Sequence, residues 1–210
     1  MGSFFSTLLG DYTQVPYVPL AFHPDTKGSQ IILDASQYIA TRAATFRDGL
    51  VFSNRPIKVN EKVTLEILKE DGRWFGGLRL GFTSEHPSLM NSRDLPPYAC
   101  PNLVKQGACW ASVLPDDYVG EGTIVSFWVN RKGCVFFSVN HEFDYYLLLE
   151  DVPVKKPLWA VMDIYGRTKA VQLVDPSRPK IHMNESSEKL LNASGQNGEY
   201  LERALLKKHI

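Results

Sequence analysis

The amino-acid sequence predicts an all-β protein built as an antiparallel β-sandwich. Short apolar runs, several with the alternation of a strand, follow one another through residues 20–175, and turn-forming residues separate them. Prolines fall between these runs, where a missing backbone N–H does not interrupt a sheet. No helical repeat of ten or more residues occurs before position 185. The segment of about 155 residues has the size of one domain and can bury a large core without disulfides.

The first strands and the first hairpin are predicted from short patterns. Residues 30–33, 38–42 and 50–52 are short strand-like runs that lie between Asp, Gly and Ser residues, which favour turns. Residues 63–68 then largely alternate between apolar and polar side chains, and residues 74–82 form a second apolar run. Because an Asp-Gly pair lies between these two runs, we predict that they form a hairpin.

Two further strand pairs are predicted in the second half. Residues 123–130 place three apolar side chains on one face, and the run 134–139 follows after an Arg-Lys-Gly turn. Gly133 is expected to take the positive φ angle that closes this turn. Residues 158–164 and 168–174 flank a Tyr-Gly-Arg sequence and are predicted to form the third pair.

The distribution of charge divides the chain into three segments. Residues 1–19 carry only one charged side chain, Asp11, and are predicted to be a mobile arm. The predicted domain, residues 20–175, mixes 17 basic with 18 acidic side chains, as a solvated globular surface does. Residues 176–210 are rich in Ser, Asn and charge and are predicted to be a mobile tail, in which residues 199–209 have the charge pattern of a short helix.

Composition excludes several classes of protein. The formal net charge is zero, so the overall charge gives no electrostatic footprint for nucleic acid or for an anionic membrane surface, and no nucleic-acid partner is expected. The three cysteines lack CxxC spacing, and residues 2–19 contain no Lys or Arg, which a secretory signal peptide would need. We therefore predict reduced thiols and a cytoplasmic location. No apolar run approaches the length of a membrane span.

Motifs for catalysis and for cofactor binding are absent from the sequence. It has no Walker A loop, no GxSxG and no GxGxxG, and its five histidines do not form HExxH or a zinc-ligand pair. We therefore predict no catalytic site, cofactor or metal. Cys109 is expected in an exposed loop and Cys134 at a buried strand position, and a Cys–His dyad with His86 or His141 has no positive support in the sequence.

The N-terminus carries one modification signal. Met1-Gly2 followed by Ser6 fits the N-myristoylation pattern, which would place an acyl chain on Gly2. A single acyl chain gives only marginal membrane affinity, and the arm has neither a basic cluster nor a cysteine that could supply a second signal. The alternative is that the Phe and Leu side chains of the arm pack on the domain.

A series of motifs in consecutive order resembles the neuralized homology repeat. The resemblance extends over about residues 20–175. It is carried by Phe22-His23, Ala40-Thr41-Arg42, Gly49-Leu50-Val51-Phe52, Trp74-Phe75-Gly76-Gly77, Asp94-Leu95-Pro96-Pro97, Phe127-Trp128-Val129-Asn130 and Asp163-Ile164-Tyr165-Gly166.

The resemblance implies a SPRY- or concanavalin-like β-sandwich that recognises other proteins. In the short neuralized-like ubiquitin ligases, the repeat selects substrates, receptor cytoplasmic tails among them, and a C-terminal zinc-binding RING recruits the ubiquitin-conjugating enzyme. A RING needs eight Cys or His ligands, whereas residues 176–210 contain no cysteine and two histidines, His182 and His209. We therefore expect a partner chain or a longer isoform to supply any ligase activity. A non-catalytic, membrane-associated adaptor or scaffold is the alternative.

Six residues are candidates for contacting the protein partner. The arginines lie in one short segment and suit bidentate contact with an acidic peptide. Trp110 lies in a Pro-, Cys- and Gly-rich segment and could anchor a partner side chain. Asp163 and Tyr165 lie at the end of a predicted strand, where binding loops begin. The candidates are Arg42, Arg47, Arg55, Trp110, Asp163 and Tyr165.

Overall fold

The computed structural model describes residues 18–175. Twelve strands form this part of the chain. They are β1 (Phe22–Lys27), β2 (Ile31–Leu33), β3 (Ile39–Arg42), β4 (Leu50–Ser53), β5 (Val63–Glu70), β6 (Arg79–Thr83), β7 (Cys109–Val113), β8 (Ile124–Val129), β9 (Val135–Val139), β10 (Tyr146–Leu149), β11 (Trp159–Asp163) and β12 (Thr168–Leu173).

The helical elements are all short. Four are 3₁₀ turns, and the fifth, Ala99–Leu103, is interrupted by the extended backbone of Cys100. None of the described helices is long and apolar enough to cross a membrane. They are Pro87–Leu89, Ser92–Asp94, Ala99–Leu103, Val104–Gln106 and Asp116–Tyr118. Apart from Val18 and Pro19, which are hydrogen-bonded to the domain, the predicted arm and tail lie outside the described residues, including the helix expected at 199–209 and the acylation signal at Gly2.

The strands form two antiparallel sheets. One has five strands in the order β1-β4-β11-β6-β7, and the other has seven in the order β10-β9-β8-β5-β12-β3-β2. The main core lies between them, where inward side chains such as Leu65 of β5 and Leu80 of β6 are fully buried. Phe82 and Phe127 come from opposite sheets, and their ring centroids lie 5.5 Å apart. The predicted all-β sandwich is confirmed.

A second, smaller core covers the outer face of the five-stranded sheet. Leu50 and Phe52 of β4 and Val161 of β11 pack against residues of the β6–β7 connection, such as Ala99 and Leu103. Because both faces of these central strands are covered, every residue of β4 and β11 is buried, and each strand is apolar up to its last residue, Ser53 in β4 and Asp163 in β11.

Two of the three predicted strand pairs are wrong. Strand β5 pairs with β8 and β12, whereas β6 pairs with β7 and β11 in the other sheet. The chain between β5 and β6 therefore crosses from one sheet to the other, and residues 74–78 are not in a strand. The β11–β12 connection crosses between the sheets in the same way. Local alternation marks a strand but does not specify the sheet to which it belongs.

The hairpin of β8 and β9 is confirmed, and so is the role of Gly133. This glycine has φ of 84°, and a Cβ there would lie 2.5 Å from the Val152 carbonyl oxygen. Strands β1, β7 and β10 were not predicted. Cys109 lies in β7 and is buried in the second core, so the expectation of an exposed loop is wrong at this position. Cys134 precedes β9 and is only partly buried, which corrects its assignment to a buried strand position.

Candidate functional site

Four segments that connect strands meet at one end of the sandwich, which we call the loop end. Hydrogen bonds join their backbones: Gly166 N–H donates to the Phe46 carbonyl over 3.0 Å, and Arg167 N–H donates to the Gly76 carbonyl over 2.9 Å. The loop end is therefore one hydrogen-bonded unit rather than a set of independent loops. Its segments are residues 43–49, 71–78, 95–99 and 164–167.

Two glycines allow these segments to approach closely. Gly76 has φ of 76°, and a Cβ there would lie 2.7 Å from a ring carbon of Tyr165. Gly166 has φ of 55°, and its Cβ would lie 2.2 Å from the Phe75 carbonyl oxygen. Any larger residue would combine an unfavourable backbone conformation with a collision.

We expect Gly166→Ala to lower the free energy of unfolding by about 1–3 kcal/mol, because the methyl group would separate the two loops that the glycine joins. Gly72→Ala is a matched control, since a Cβ at Gly72 has no heavy atom within 4 Å. Urea unfolding of both variants checks the prediction. Equal stability of the two variants would contradict it.

A buried ion pair lies beneath the loop end. Arg79 at the start of β6 donates to Asp163 at the end of β11 over 2.9 Å, and the Asp163 side chain is 0% exposed. The same carboxylate oxygen accepts a hydrogen bond from Ala99 N–H, also over 2.9 Å. Burial raises the pKa of Asp163, while the Ala99 N–H and the Arg79 guanidinium favour the carboxylate and oppose that rise.

Aromatic rings surround the guanidinium of this pair. The Arg79 Cζ lies 3.6 Å from the ring centroid of Tyr165 and 5.0 Å from that of Tyr98, which places the cation against two aromatic rings. The two tyrosine rings meet edge to face, with their centroids 5.7 Å apart. Phe46 extends the cluster, because its ring centroid lies 6.0 Å from Tyr165 and 4.9 Å from Trp74.

The rim of the loop end is exposed. Phe75 is 90% accessible although it is a large apolar residue, and the side chain of Arg47 is 53% accessible. Arg47 lies 3.4 Å from Asp48, and an ion pair this exposed contributes little to stability. An exposed aromatic ring and an exposed guanidinium above a rigid aromatic cluster form a surface that suits contact with another protein.

Arg42 does not contribute to that surface. It is fully buried between the sheets, and its Nη2 donates to the carbonyl oxygens of Gly166 and Thr168. Burial lowers its pKa to about 10, and its Nε and Nη1 have no hydrogen-bond partner among the described residues. The expectation that Arg42 contacts an acidic peptide is therefore wrong. Through its hydrogen bond to the Gly166 carbonyl, Arg42 fixes the 164–167 segment to β3.

Lys169 of β12 is a second buried cation near Arg42. Burial, and to a smaller extent the charge of Arg42, lowers the pKa of Lys169 to about 8, and its Nζ donates to the Ala43 carbonyl.

The lowered pKa of Lys169 makes stability depend on pH. The unfolded chain keeps the Lys169 proton until about pH 10, whereas the folded chain loses it near pH 8. The folded state therefore gains stability as pH rises from about 8 to 10. We expect the free energy of unfolding of the protein to rise relative to Lys169→Met by about 1 kcal/mol per pH unit in this interval. Equilibrium unfolding at several pH values measures the difference, and a constant difference would contradict the assignment.

The remaining predicted residues separate into different parts of the fold. Asp163 and Tyr165 lie together at the loop end, as their position at a strand end suggested. Arg55 lies at the other end of the sandwich and is paired with Glu61, 2.6 Å away. Trp110 is in β7 rather than in a loop and packs against the main core, which corrects its assignment to a loop.

Several residues of the loop end were missed by sequence reasoning. Phe46, Phe75 and Tyr98 come from three separate connections, and no local pattern joins them. Arg79 could have been found, because a charged residue inside an apolar strand run must have a partner if it is buried.

The described residues hold no group of three or more His, Cys, Asp and Glu side chains arranged to bind a metal ion. Burial raises the pKa of Cys109 to about 12, which keeps the sulfur in its thiol form at neutral pH.

The two sheets and their order define a β-sandwich of the SPRY type. The structure matches the SPRY domain of human HERC1 with a TM-score of 0.53 at 15% identity, covering 76% of this chain and 100% of that one, which shows the fold alone. The match to the crystal structure of the Drosophila melanogaster neuralized NHR1 domain is stronger, with a TM-score of 0.72, 32% identity and coverage of 76% and 99%.

The chain belongs to the Neuralized family, whose sequence model matches residues 22–175. It is 47% identical over 168 residues to the human E3 ubiquitin-protein ligase NEURL3. This alignment covers 80% of the present chain and 64% of that relative. The resemblance recognised in the sequence is thus confirmed for the domain.

Proposed function

We propose that this Neuralized domain is a protein-interaction module that recruits a protein for ubiquitylation and binds it at the loop end. The proposal is carried by one observation: the side chains of Phe75 and Arg47 are exposed at the rim of the loop end, over the cluster of Arg79, Asp163 and Tyr165. The relationship to the ligase NEURL3 supports the pathway.

The architecture of the loop end supports a binding role. Four segments are held by strands of both sheets, so their side chains keep a fixed arrangement before a partner arrives. Aromatic and arginine side chains contribute most strongly to protein interfaces, and a surface organised in advance loses little entropy on binding. The ligand that fits is a protein segment with an apolar side chain for Phe75 and a carboxylate for Arg47.

A ubiquitin-transfer assay tests the ligase pathway. Proteins that the purified chain captures from a cell lysate serve as the ubiquitin acceptors. The purified chain is tested with them alone and after addition of cell lysate. We expect transfer only when lysate supplies a ubiquitin ligase or conjugating enzyme. Absence of transfer in both conditions, without any co-purified ligase, would contradict a role in ubiquitylation.

The second candidate is a non-catalytic, membrane-associated adaptor in the cytoplasm. The myristoylation pattern at Gly2 favours it. Fractionation of cells that express the Gly2→Ala variant tests this candidate. A shift of the protein from membranes to the soluble fraction supports acylation, and an unchanged distribution counts against it.

A further inference from the structure

Three loops meet at the end of the sandwich opposite the loop end. They join β4 to β5 (residues 54–62), β8 to β9 (130–134) and β10 to β11 (150–158). Asn60 N–H donates to the Val129 carbonyl over 2.8 Å, and Val152 N–H donates to the Gly133 carbonyl over 3.0 Å. We call these three loops the basic end.

The basic end concentrates positive charge, although the net charge of the whole sequence is zero. Its loops carry seven basic and three acidic side chains, a net charge of +4, whereas the other described residues carry ten basic and fifteen acidic side chains. The acidic residues are Glu61, which pairs with Arg55, and Glu150 and Asp151. The other six basic residues are exposed and form no ion pair within 4 Å with any described residue: Lys58, Lys62, Arg131, Lys132, Lys155 and Lys156.

Aromatic side chains adjoin this charge. Lys62 Nζ lies 4.5 Å from the ring centroid of Trp128, near the end of β8. The Trp128 ring contacts Phe136 and Tyr145, with centroids 6.1 and 5.8 Å away, and Tyr145 is 60% exposed. Tryptophan and tyrosine beside lysine are favoured where a protein meets the headgroup region of a membrane.

The N-terminal arm joins the domain at the basic end. Arg55 Nε donates to the Val18 carbonyl over 2.7 Å, and Asn54 Nδ2 donates to the Pro19 carbonyl over 3.1 Å. The preceding residues 1–17 can span up to roughly 55 Å when extended. An acyl chain on Gly2 could therefore enter a membrane against which the basic end rests.

We propose that the basic end docks on the surface of a membrane that contains anionic phospholipids. The six exposed cations contact the headgroups, Trp128 and Tyr145 lie toward the interface, and the loop end faces the cytoplasm, where it is free to bind a protein. The basic end supplies the second membrane signal that the sequence of the arm lacks. The proposal requires neither acylation of Gly2 nor the recruitment function, since the charge belongs to the folded domain.

A membrane fits these observations better than a soluble acidic partner. The cations are spread over three loops at one end, which suits contact with an extended anionic surface. The segment that carries the acylation signal emerges at the same end. Each basic residue near an anionic bilayer strengthens binding by about fivefold.

Vesicle sedimentation of the full chain, produced without an acyltransferase, tests the proposal. The vesicles contain phosphatidylcholine alone or with 30 mol% phosphatidylserine, roughly the anionic content of a cytoplasmic leaflet. The test variant combines Lys132→Gln with Lys155→Gln. The control combines Arg93→Gln with Lys105→Gln, which removes the same charge from exposed positions in the β6–β7 connection.

We expect the unmodified chain to bind the anionic vesicles, with affinity that falls as salt is raised. The test variant should bind about 25-fold more weakly, and the control should change less than twofold. No preference for the anionic vesicles, or equal losses in the two variants, would overturn the proposal. Binding to soluble polyglutamate without binding to the vesicles would also overturn it, in favour of an acidic protein partner.

Discussion

Asp163→Ala is expected to lower the free energy of unfolding by about 3–5 kcal/mol. The substitution removes the carboxylate that pairs with Arg79 and accepts from Ala99 N–H, and it leaves a cation and an N–H group unpaired in a buried site. Because the pair lies beneath the loop end, we expect Tyr98 and Tyr165 to lose their fixed arrangement as well. Urea unfolding monitored by fluorescence measures the stability.

Replacing both members of the pair separates the loss of charge balance from the loss of packing. The double variant Arg79→Leu with Asp163→Leu leaves no unpaired charge and keeps most of the volume, so it should be clearly more stable than Asp163→Ala. If the double variant is the less stable of the two, the ion pair is not the reason for the loss.

Arg42→Ala is expected to lower the free energy of unfolding by a similar amount, about 3–5 kcal/mol, for a different reason. Arg42 is among the largest fully buried side chains, so truncation leaves a cavity between the sheets. It also removes the donors to the carbonyls of Gly166, in the 164–167 segment, and of Thr168, the first residue of β12.

Arg42→Met separates these two contributions. Methionine fills much of the volume of the arginine, needs no hydrogen bond and carries no charge. The substitution should therefore lower the free energy of unfolding by only about 1–2 kcal/mol. Thermal and urea unfolding of the two variants gives the comparison. Equal losses would contradict a packing role for Arg42.

The fold was predictable from sequence to the extent that it depends on local patterns. Alternation located strands such as β5, and the short turn with Gly133 located the β8–β9 hairpin, because both signals lie within a few residues. The β5–β6 and β11–β12 connections could not be predicted, since the sheet that accepts a strand is chosen by contacts distant in sequence. Strand β10 was not predicted; it is a short strand at the edge of its sheet, where Tyr146 and Leu147 are exposed.

The candidate site was predictable only in part, for the same reason. Asp163 and Tyr165 were found because they end a strand, where binding loops begin. Their partners Arg79 and Tyr98 come from the start of β6 and from the β6–β7 connection, and only the folded chain brings them together. Arg42 was assigned to the surface from its charge, although it lies two residues after the buried Ala40 and therefore on the same inward face.

The two ends of the domain divide its proposed roles. Exposed aromatic and arginine side chains at the loop end suit a protein ligand, and cations at the basic end suit an anionic membrane surface. In this arrangement a membrane-bound domain would keep its protein-binding surface accessible.

Quantitative affinity capture with Phe75→Ser tests whether the loop end recruits a protein for ubiquitylation. The unmodified chain and Leu89→Ser, which alters another exposed apolar residue, serve as matched controls. Captured proteins are compared for abundance and for ubiquitylated lysines. We expect ubiquitylated proteins that the two controls retain and that Phe75→Ser loses at least tenfold, because an exposed aromatic ring is a dominant interface contact. Identical captured sets for all three chains would contradict this expectation.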